Sequence, residues 1–104
     1  MRFPLVKHAI HQLNKAFDHR VRLGVMAVLM ANEEVSFGDL KETLDLTDGN
    51  LASHAAALEK AGYVQVNKQF IGKKPNTTFT ATKEGRQAFQ DHLDTLEKLL
   101  RRDG

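Results

Sequence analysis

The sequence contains no cysteine, and this absence excludes several kinds of chemistry at once. Without a thiol the chain cannot form a disulfide framework, a thiolate zinc site or a cysteine nucleophile. No apolar run approaches the ~20 residues that a membrane-spanning helix requires. Near the N-terminus, Lys7, His8 and His11 interrupt any signal-peptide core. We therefore expect a cytoplasmic protein.

The sequence also lacks the local patterns that carry catalysis. There is no nucleophile elbow, no phosphate-binding loop and no paired-acid motif, so we do not expect an enzyme. The five histidines invite a metal hypothesis, since His8 and His11 lie three residues apart and His92 lies on a later helix. No acidic residue accompanies the first two, so we expect neither a metal nor another cofactor. A histidine-based response to metal or pH stays open as an alternative.

What is present is a 104-residue chain with 41% hydrophobic residues, which fits a single domain over residues 1–104. The net charge is only +2, but the charges are unevenly distributed. Residues 33–48 hold six acidic side chains and one basic, whereas residues 59–86 hold six basic and two acidic. This asymmetry predicts that one side of the protein faces a polyanion.

Helical periodicity dominates the first half of the chain. Val6, Ile10, Leu13 and Phe17 recur with the spacing of one helical face, and residues 21–30 form a second, almost wholly apolar helix. Two polar residues then fit helix N-caps. Ser36 precedes a short helix that buries Leu40 and Leu44, and Thr47 precedes a helix over about 48–61 that buries Leu51, Ala55 and Leu58.

After Gly62 the period changes from helical to alternating. Residues 64–70 and 77–81 fit two strands joined by a turn at 72–76, which predicts a β-hairpin. Thr82 then caps a last helix that we expect to run to about Arg102. Its apolar stripe consists of Phe89, Leu93, Leu96 and Leu100.

Four segments in this order carry a resemblance to a known family. They are Val35–Leu40, Leu46–His54, Leu58–Val64 and Phe79–Arg86. The chain resembles stand-alone winged helix-turn-helix transcriptional regulators of the multiple-antibiotic-resistance (MarR) and arsenic-repressor (ArsR) superfamilies. The resemblance implies an α+β, mostly helical fold, with a helix-turn-helix at about 36–61, a two-stranded hairpin wing at about 63–81 and a C-terminal helix at about 82–102. Metal-sensing members use cysteines, so that chemistry does not carry over.

The resemblance also implies a function and its partners. The expected protein is a homodimer that binds double-stranded DNA sequence-specifically and acts as a repressor, with residues 48–61 as the recognition helix. The residues that we expect at the DNA are Arg20, Arg22, Ser36, Thr47, Asn50, Ser53, His54, Lys60, Lys73 and Lys74. Asp48 fits the helix dipole better than it fits a base. The recognition helix has no arginine, which weighs against tight specific binding.

Two further expectations concern partners. The stripes Ile10, Leu13, Phe17 and Phe89, Leu93, Leu96, Leu100 would expose a large apolar area in a monomer, so we expect them to form the dimer interface. The rival hypothesis is a winged-helix protein-interaction module that does not bind DNA. One continuous positive face of Arg20, Arg22, Lys60, Lys73 and Lys74 with His54 would favour DNA binding, whereas scattered positions would favour the rival. The sequence does not identify a small-molecule effector, and that question stays open.

Overall fold

The computed structural model describes residues 3–100, which form five α-helices and three strands. The elements are α1 (Pro4–Ile10), a short 3-10 helix (Lys15–Phe17), α2 (Arg20–Ala31), β1 (Val35–Ser36), α3 (Phe37–Thr43), α4 (Asp48–Lys60), β2 (Val64–Ile71), β3 (Lys74–Ala81) and α5 (Lys83–Leu100). The predicted end of the last helix at Arg102 lies outside the described residues. No helix in the described part of the chain is long and apolar enough to cross a membrane.

The helix boundaries follow from local hydrogen bonding. The hydroxyls of Ser36, Thr47 and Thr82 each accept a hydrogen bond from the backbone N–H three residues later, at 2.9–3.1 Å. Each hydroxyl thereby satisfies an orphan donor of the helix that follows. A left-handed residue follows the C-cap of both α3 and α4, namely Asp45 with φ 53° and Gly62 with φ 84°. These stops fix the tight turn between α3 and α4 and the entry into β2.

The sheet is antiparallel with strand order β1-β3-β2. β2 and β3 pair from Val64↔Ala81 to Ile71↔Lys74 and are joined by a two-residue loop in which Gly72 has φ +64°. The sequence predicted only this two-stranded hairpin. The structure adds β1, which pairs Val35 with Phe79. Two residues are too short to show an alternating pattern, so this strand could not be detected from periodicity.

The core lies between α2, α3, α4, the inner face of the sheet and the first turns of α5. Its largest fully buried side chains are Phe17, Val25, Met26, Leu29, Leu40, Leu51, Leu58 and Phe79. Phe17 is the centre of an aromatic cluster. Its ring lies 5.4 Å from Tyr63, 5.3 Å from Phe89 and 5.2 Å from the imidazole of His92.

The N-terminal helix is shorter than its apolar spacing predicts. A continuous helix from Val6 to Phe17 is wrong, because α1 ends at Ile10 and Asn14 begins the 3-10 turn. The Asn14 side chain accepts from the N–H of Ala16 at 2.9 Å and donates to the Tyr63 hydroxyl at 2.9 Å. Its backbone N–H donates to Nδ1 of His92 at 3.1 Å. These bonds compete with the continuation of the helix.

Two residues that the sequence assigned to a dimer interface are instead buried within one chain. Phe17 and Phe89 are 1% and 5% exposed and pack edge to face inside the protein. The sequence placed them on a dimer surface, but both side chains belong to the core of one chain. The other predicted interface residues are accessible. Ile10, Leu93, Leu96 and Leu100 are exposed and Leu13 is half-buried.

Candidate nucleic-acid interface

α4 has one buried face and one fully accessible stripe. Leu51, Ala55 and Leu58 are buried against the core, as the sequence predicted. The opposite stripe consists of Gly49, Ser53, Ala56 and Lys60, all exposed. These positions lie three or four residues apart and therefore form one line along the helix. Because three of the four side chains are absent or small, another molecule can approach the α4 backbone closely.

A polar cleft lies on one side of this stripe. It is formed by the start of α2, the α3–α4 turn and α4, and is lined by His19, Arg20, Val21, Leu44, Asp45, Leu46, Asn50 and His54. The structure therefore brings together three residues that the sequence assigned to DNA binding, Arg20, Asn50 and His54. They come from elements about 30 residues apart in the chain.

His19 is a residue of this cleft that the sequence did not single out. Its imidazole stacks on that of His54 with ring centroids 4.1 Å apart and an interplanar angle of 29°. Its Nδ1 accepts from the N–H of Val21 at 3.1 Å and so caps α2. Burial lowers the pKa of His54, and the nearby positive charges of His19 and Arg22 lower that pKa further. A neutral His54 can both donate and accept a hydrogen bond.

Arg22 and Arg20 are placed differently. Arg20 is exposed at the first turn of α2, whereas Arg22 is half-buried. Within residues 3–100 the Arg22 Nε finds no hydrogen-bond partner. Arg22 does not line the cleft, but its positive charge contributes to the lowered pKa of His54.

The start of α4 is held in place by its own side chains. The hydroxyls of Ser36 and Thr47 accept the capping hydrogen bonds of α3 and α4, which leaves each hydroxyl hydrogen available to a ligand. Asp48 lies in the first turn of α4 and forms a salt bridge with Lys41 at 2.8 Å. This carboxylate is therefore engaged within the chain, at the helix end where a negative charge is favourable.

A groove lies on the other side of the α4 stripe, between the helix and the hairpin. Ala52, Ala56 and Glu59 form one wall, Val66, Lys68 and Thr77 form the other, and Phe37, Ala55 and Phe79 complete the lining. Beyond this groove the hairpin continues to its tip, where Lys73 and Lys74 are exposed. The chain from Lys60 to Lys83 contains five lysines and no acidic residue.

This architecture matches a known family. The family model of the winged helix DNA-binding domain matches residues 21–100. The chain belongs to this family. α3, the following turn and α4 form its helix-turn-helix, and the β2–β3 hairpin forms its wing.

Comparisons with individual proteins support this family assignment. The uncharacterised protein MJ0432 of Methanocaldococcus jannaschii is 39% identical over 85 residues, which cover 82% of this chain and 92% of that protein. The structure of a transcriptional regulator homologue from Pyrococcus horikoshii OT3 superposes with a TM-score of 0.81 at 30% identity, covering 92% of this chain and 93% of that one. A MarR-family regulator from Rhodococcus sp. RHA1 has a TM-score of 0.66 at 19% identity, with 95% of this chain and 67% of that chain covered.

The family model and the Pyrococcus structure confirm the winged helix-turn-helix fold, and the Rhodococcus MarR-family regulator shares that fold. The family and the fold are those of transcriptional regulators rather than of enzymes.

The basic residues of the winged helix lie in three places rather than in one cluster. Arg20 lines the cleft and Arg22 follows it two residues later in α2, whereas Lys60 lies on the exposed stripe of α4, about 10 Å along the axis from Ser53. Lys73 and Lys74 lie at the end of the wing. The three places flank or continue the recognition helix.

The histidines of the winged helix do not converge on a metal. No group of three potential metal ligands occurs within the described residues 3–100. His8 and His11 are exposed, whereas His92 is buried and its Nδ1 already accepts a hydrogen bond from Asn14. The expected juxtaposition of His92 with the first two histidines therefore does not arise as a shared site.

Proposed function

We propose that the protein is a sequence-specific regulator of transcription that binds double-stranded DNA as a homodimer. It acts as a repressor by covering the DNA that other proteins must reach. The observation that carries this proposal is the exposed stripe of α4, which is flanked by a polar cleft containing Arg20, Asn50 and His54 on one side and by an acid-free wing on the other. Such a helix fits the major groove of B-DNA, which is about 12 Å wide.

In this arrangement the N-terminal half of α4 reads the base edges. The Asn50 amide can offer a donor and an acceptor to one adenine, and neutral His54 can donate or accept at a neighbouring base. Ser53 lies beside them on the accessible stripe and suits several bases. Since α4 has no arginine, we expect sequence preference to rest on these few neutral contacts rather than on arginine–guanine pairs.

The remaining polar residues position the protein on the sugar-phosphate backbone. Arg20 lines the cleft, Arg22 follows it in α2, and Thr47 and Ser36 present hydroxyl hydrogens at helix starts. Phosphate contacts of this kind fix the register of a protein on DNA without reading sequence. Lys60, Lys73 and Lys74 extend the phosphate contacts along α4 and the wing.

The dimer rests on the apolar surface of the terminal helices. α1 packs against α5, and together they leave Ile10, Leu93, Leu96 and Leu100 exposed beside the half-buried Leu13. A second copy, related to the first by a two-fold axis, would cover this surface and remove apolar area from water on both chains. The same axis presents two recognition helices to one duplex.

Substitutions in the recognition helix test the proposed base contacts. We expect Asn50→Ala and His54→Ala each to weaken binding to a duplex enriched from a randomised pool by about 1–3 kcal/mol. Each should also relax base preference at one or two positions of each half-site. Gln65→Ala is the control, because this exposed side chain lies on β2, outside the groove. Fluorescence anisotropy against single-position variants of that duplex measures both quantities.

Two outcomes contradict the proposal in different ways. If both variants retain the full sequence preference of the parent, α4 does not read the bases. If the parent protein binds no duplex even at low salt, the winged helix is a protein-interaction module instead.

A further inference from the structure

The tip of the wing exposes two large apolar side chains. Phe70 is 73% exposed and Ile71 is 66% exposed, and both lie in the last two positions of β2. Phe70 pairs with Pro75 and Ile71 pairs with Lys74 across the hairpin. All eight residues from Lys68 to Pro75 are exposed, so no part of the described residues 3–100 covers this end of the hairpin.

Strand alternation places the two side chains on opposite faces of the wing. Phe70 shares its face with Val66 and Lys68, which line the groove beside α4. Ile71 therefore points to the other face. The apolar inner face of the sheet thus runs past the body of the protein and ends in Phe70, on the same side as the recognition helix. At about 3.3 Å per residue, Phe70 lies roughly 13 Å beyond Val66 along the strand.

The charge around this tip indicates which partner fits it. Lys73 and Lys74 adjoin the apolar pair, and the nearest acidic residues in the sequence are Glu59 and Glu84, outside the hairpin. An apolar point bordered by cations matches the DNA minor groove, which has deoxyribose walls and phosphate rims. Proteins that insert apolar side chains there partly unstack a base step and bend the duplex.

We infer that Phe70, backed by Pro75, is an apolar wedge that enters the minor groove of bound DNA and bends it. Lys73 and Lys74 contact the phosphates on either side of the opened step. The wedge rests on the proposed DNA-binding function and adds a second source of specificity. Sequences that bend easily at the contacted step, such as pyrimidine–purine steps, are favoured without any hydrogen bond to their bases.

A bending measurement with two matched variants tests the wedge. A duplex enriched from a randomised pool carries a donor and an acceptor dye at its two ends, and energy transfer reports its bend. We expect the parent protein to bend it by roughly 20–90° and Phe70→Ala to abolish most of that bend. Ile71→Ala is the control, because it removes a similarly exposed apolar side chain from the opposite face. Phe70→Ala should leave the salt dependence of binding unchanged, since it removes no charge.

The possible results separate the wedge from the proposed function. If Phe70→Ala bends the duplex as much as the parent does, or if Ile71→Ala loses the bend equally, the wedge is wrong while DNA binding stands. If the parent binds no duplex, both proposals are wrong. Binding of the parent to vesicles of phosphatidylcholine with phosphatidylglycerol but not to duplex, lost in Phe70→Ala, would overturn the wedge and point to a membrane surface instead.

Discussion

His92 is a buried histidine whose protonation state is tied to a structural contact. It is 5% exposed, and its Nδ1 accepts the backbone N–H of Asn14. That acceptor role requires the proton of the neutral ring to lie on Nε2. Burial lowers the pKa of His92, and the negative charge of Asp18 opposes that shift only in part. A protonated His92 would turn a donor toward the Asn14 donor.

This geometry predicts that acid destabilises the protein through His92. The unfolded chain takes up the proton near the usual pKa of 6.5, whereas the folded chain resists it until the pH reaches its lowered pKa. Between these two values the free energy of unfolding should fall by up to about 1.4 kcal/mol per pH unit. Urea denaturation at pH 7.5 and pH 5.5 measures the fall, and His92→Gln should remove this part of it.

Two features allow the difference between the parent and His92→Gln to be assigned to His92. His54 also has a lowered pKa, but it is present in both proteins and its contribution cancels. His8→Gln is the control, because His8 is exposed at α1. An unchanged pH dependence in His92→Gln would show that His92 is not the titrating group.

At the scale of elements, α5 holds the end of α2 through one side chain. The Arg86 guanidinium donates to the carbonyl oxygens of Leu29 at 3.1 Å, Met30 at 3.2 Å and Asn32 at 3.4 Å. α2 has no basic residue in its own last turn. Arg86 therefore satisfies carbonyls at the α2 C-terminus that lack partners within the helix.

Replacement of this arginine should loosen the packing of α5 on α2. We expect Arg86→Gln to lower the free energy of unfolding by about 1.5–3 kcal/mol, because the hydrogen bonds come from a charged group. Arg86→Lys should recover only part of the loss, since a single ammonium cannot reproduce the planar fork. Chemical denaturation measures both. The control is Gln87→Ala, an exposed neighbour, and equal stability of Arg86→Gln and the parent would contradict this role.

The elements that the sequence predicted correctly are those decided locally. Ser36, Thr47 and Thr82 mark helix starts because each cap needs only an amide three residues away. β1 and the break after Ile10 depend on distant partners instead. β1 exists because Phe79 and Thr78 offer a free strand edge, and Asn14 leaves the helix to reach Tyr63 and His92.

At the candidate interface too, residues set by local pattern could be predicted, whereas residues that depend on distant contacts could not. Asn50 and His54 could be predicted because helical periodicity separates the polar face of α4 from its buried face. His19 could not, since it lies in the break between two helices and gains its role only by stacking on His54. Phe70 alternates with the core residues of β2, so the pattern alone predicts burial. Only the length of the hairpin takes it past the body of the protein.

At the scale of the whole molecule, the chain is more elongated than a compact domain of the same length. Its radius of gyration is 16.1 Å and its extents are 62 × 25 × 21 Å. A compact domain of this length has a radius of gyration of about 13 Å. The elongated shape leaves the wing tip and the apolar surface of α1 and α5 exposed. These are the surfaces that we propose for DNA and for a second copy.

The dimer proposal leads to a test on that apolar surface. Leu96→Glu with Leu100→Glu places negative charges on a surface that, in a two-fold dimer, packs against the same surface of the second copy. We expect the doubly substituted chain to sediment as a folded monomer and to lose tight binding to a palindromic duplex. Gln90→Glu with Gln87→Glu adds the same charge to exposed positions outside the apolar stripe and serves as the control. A dimer that survives both leucine substitutions would place the interface elsewhere.

The central claim is that two copies of the α4 and wing surface read one duplex together. Selection of bound sequences from randomised duplex DNA by the unmodified protein tests it most directly. The predicted result is an enriched inverted repeat whose half-sites lie about 34–36 Å apart, one helical turn or a multiple of it. Recovery of sequences with no shared motif, or of a single motif without two-fold symmetry, would contradict the claim.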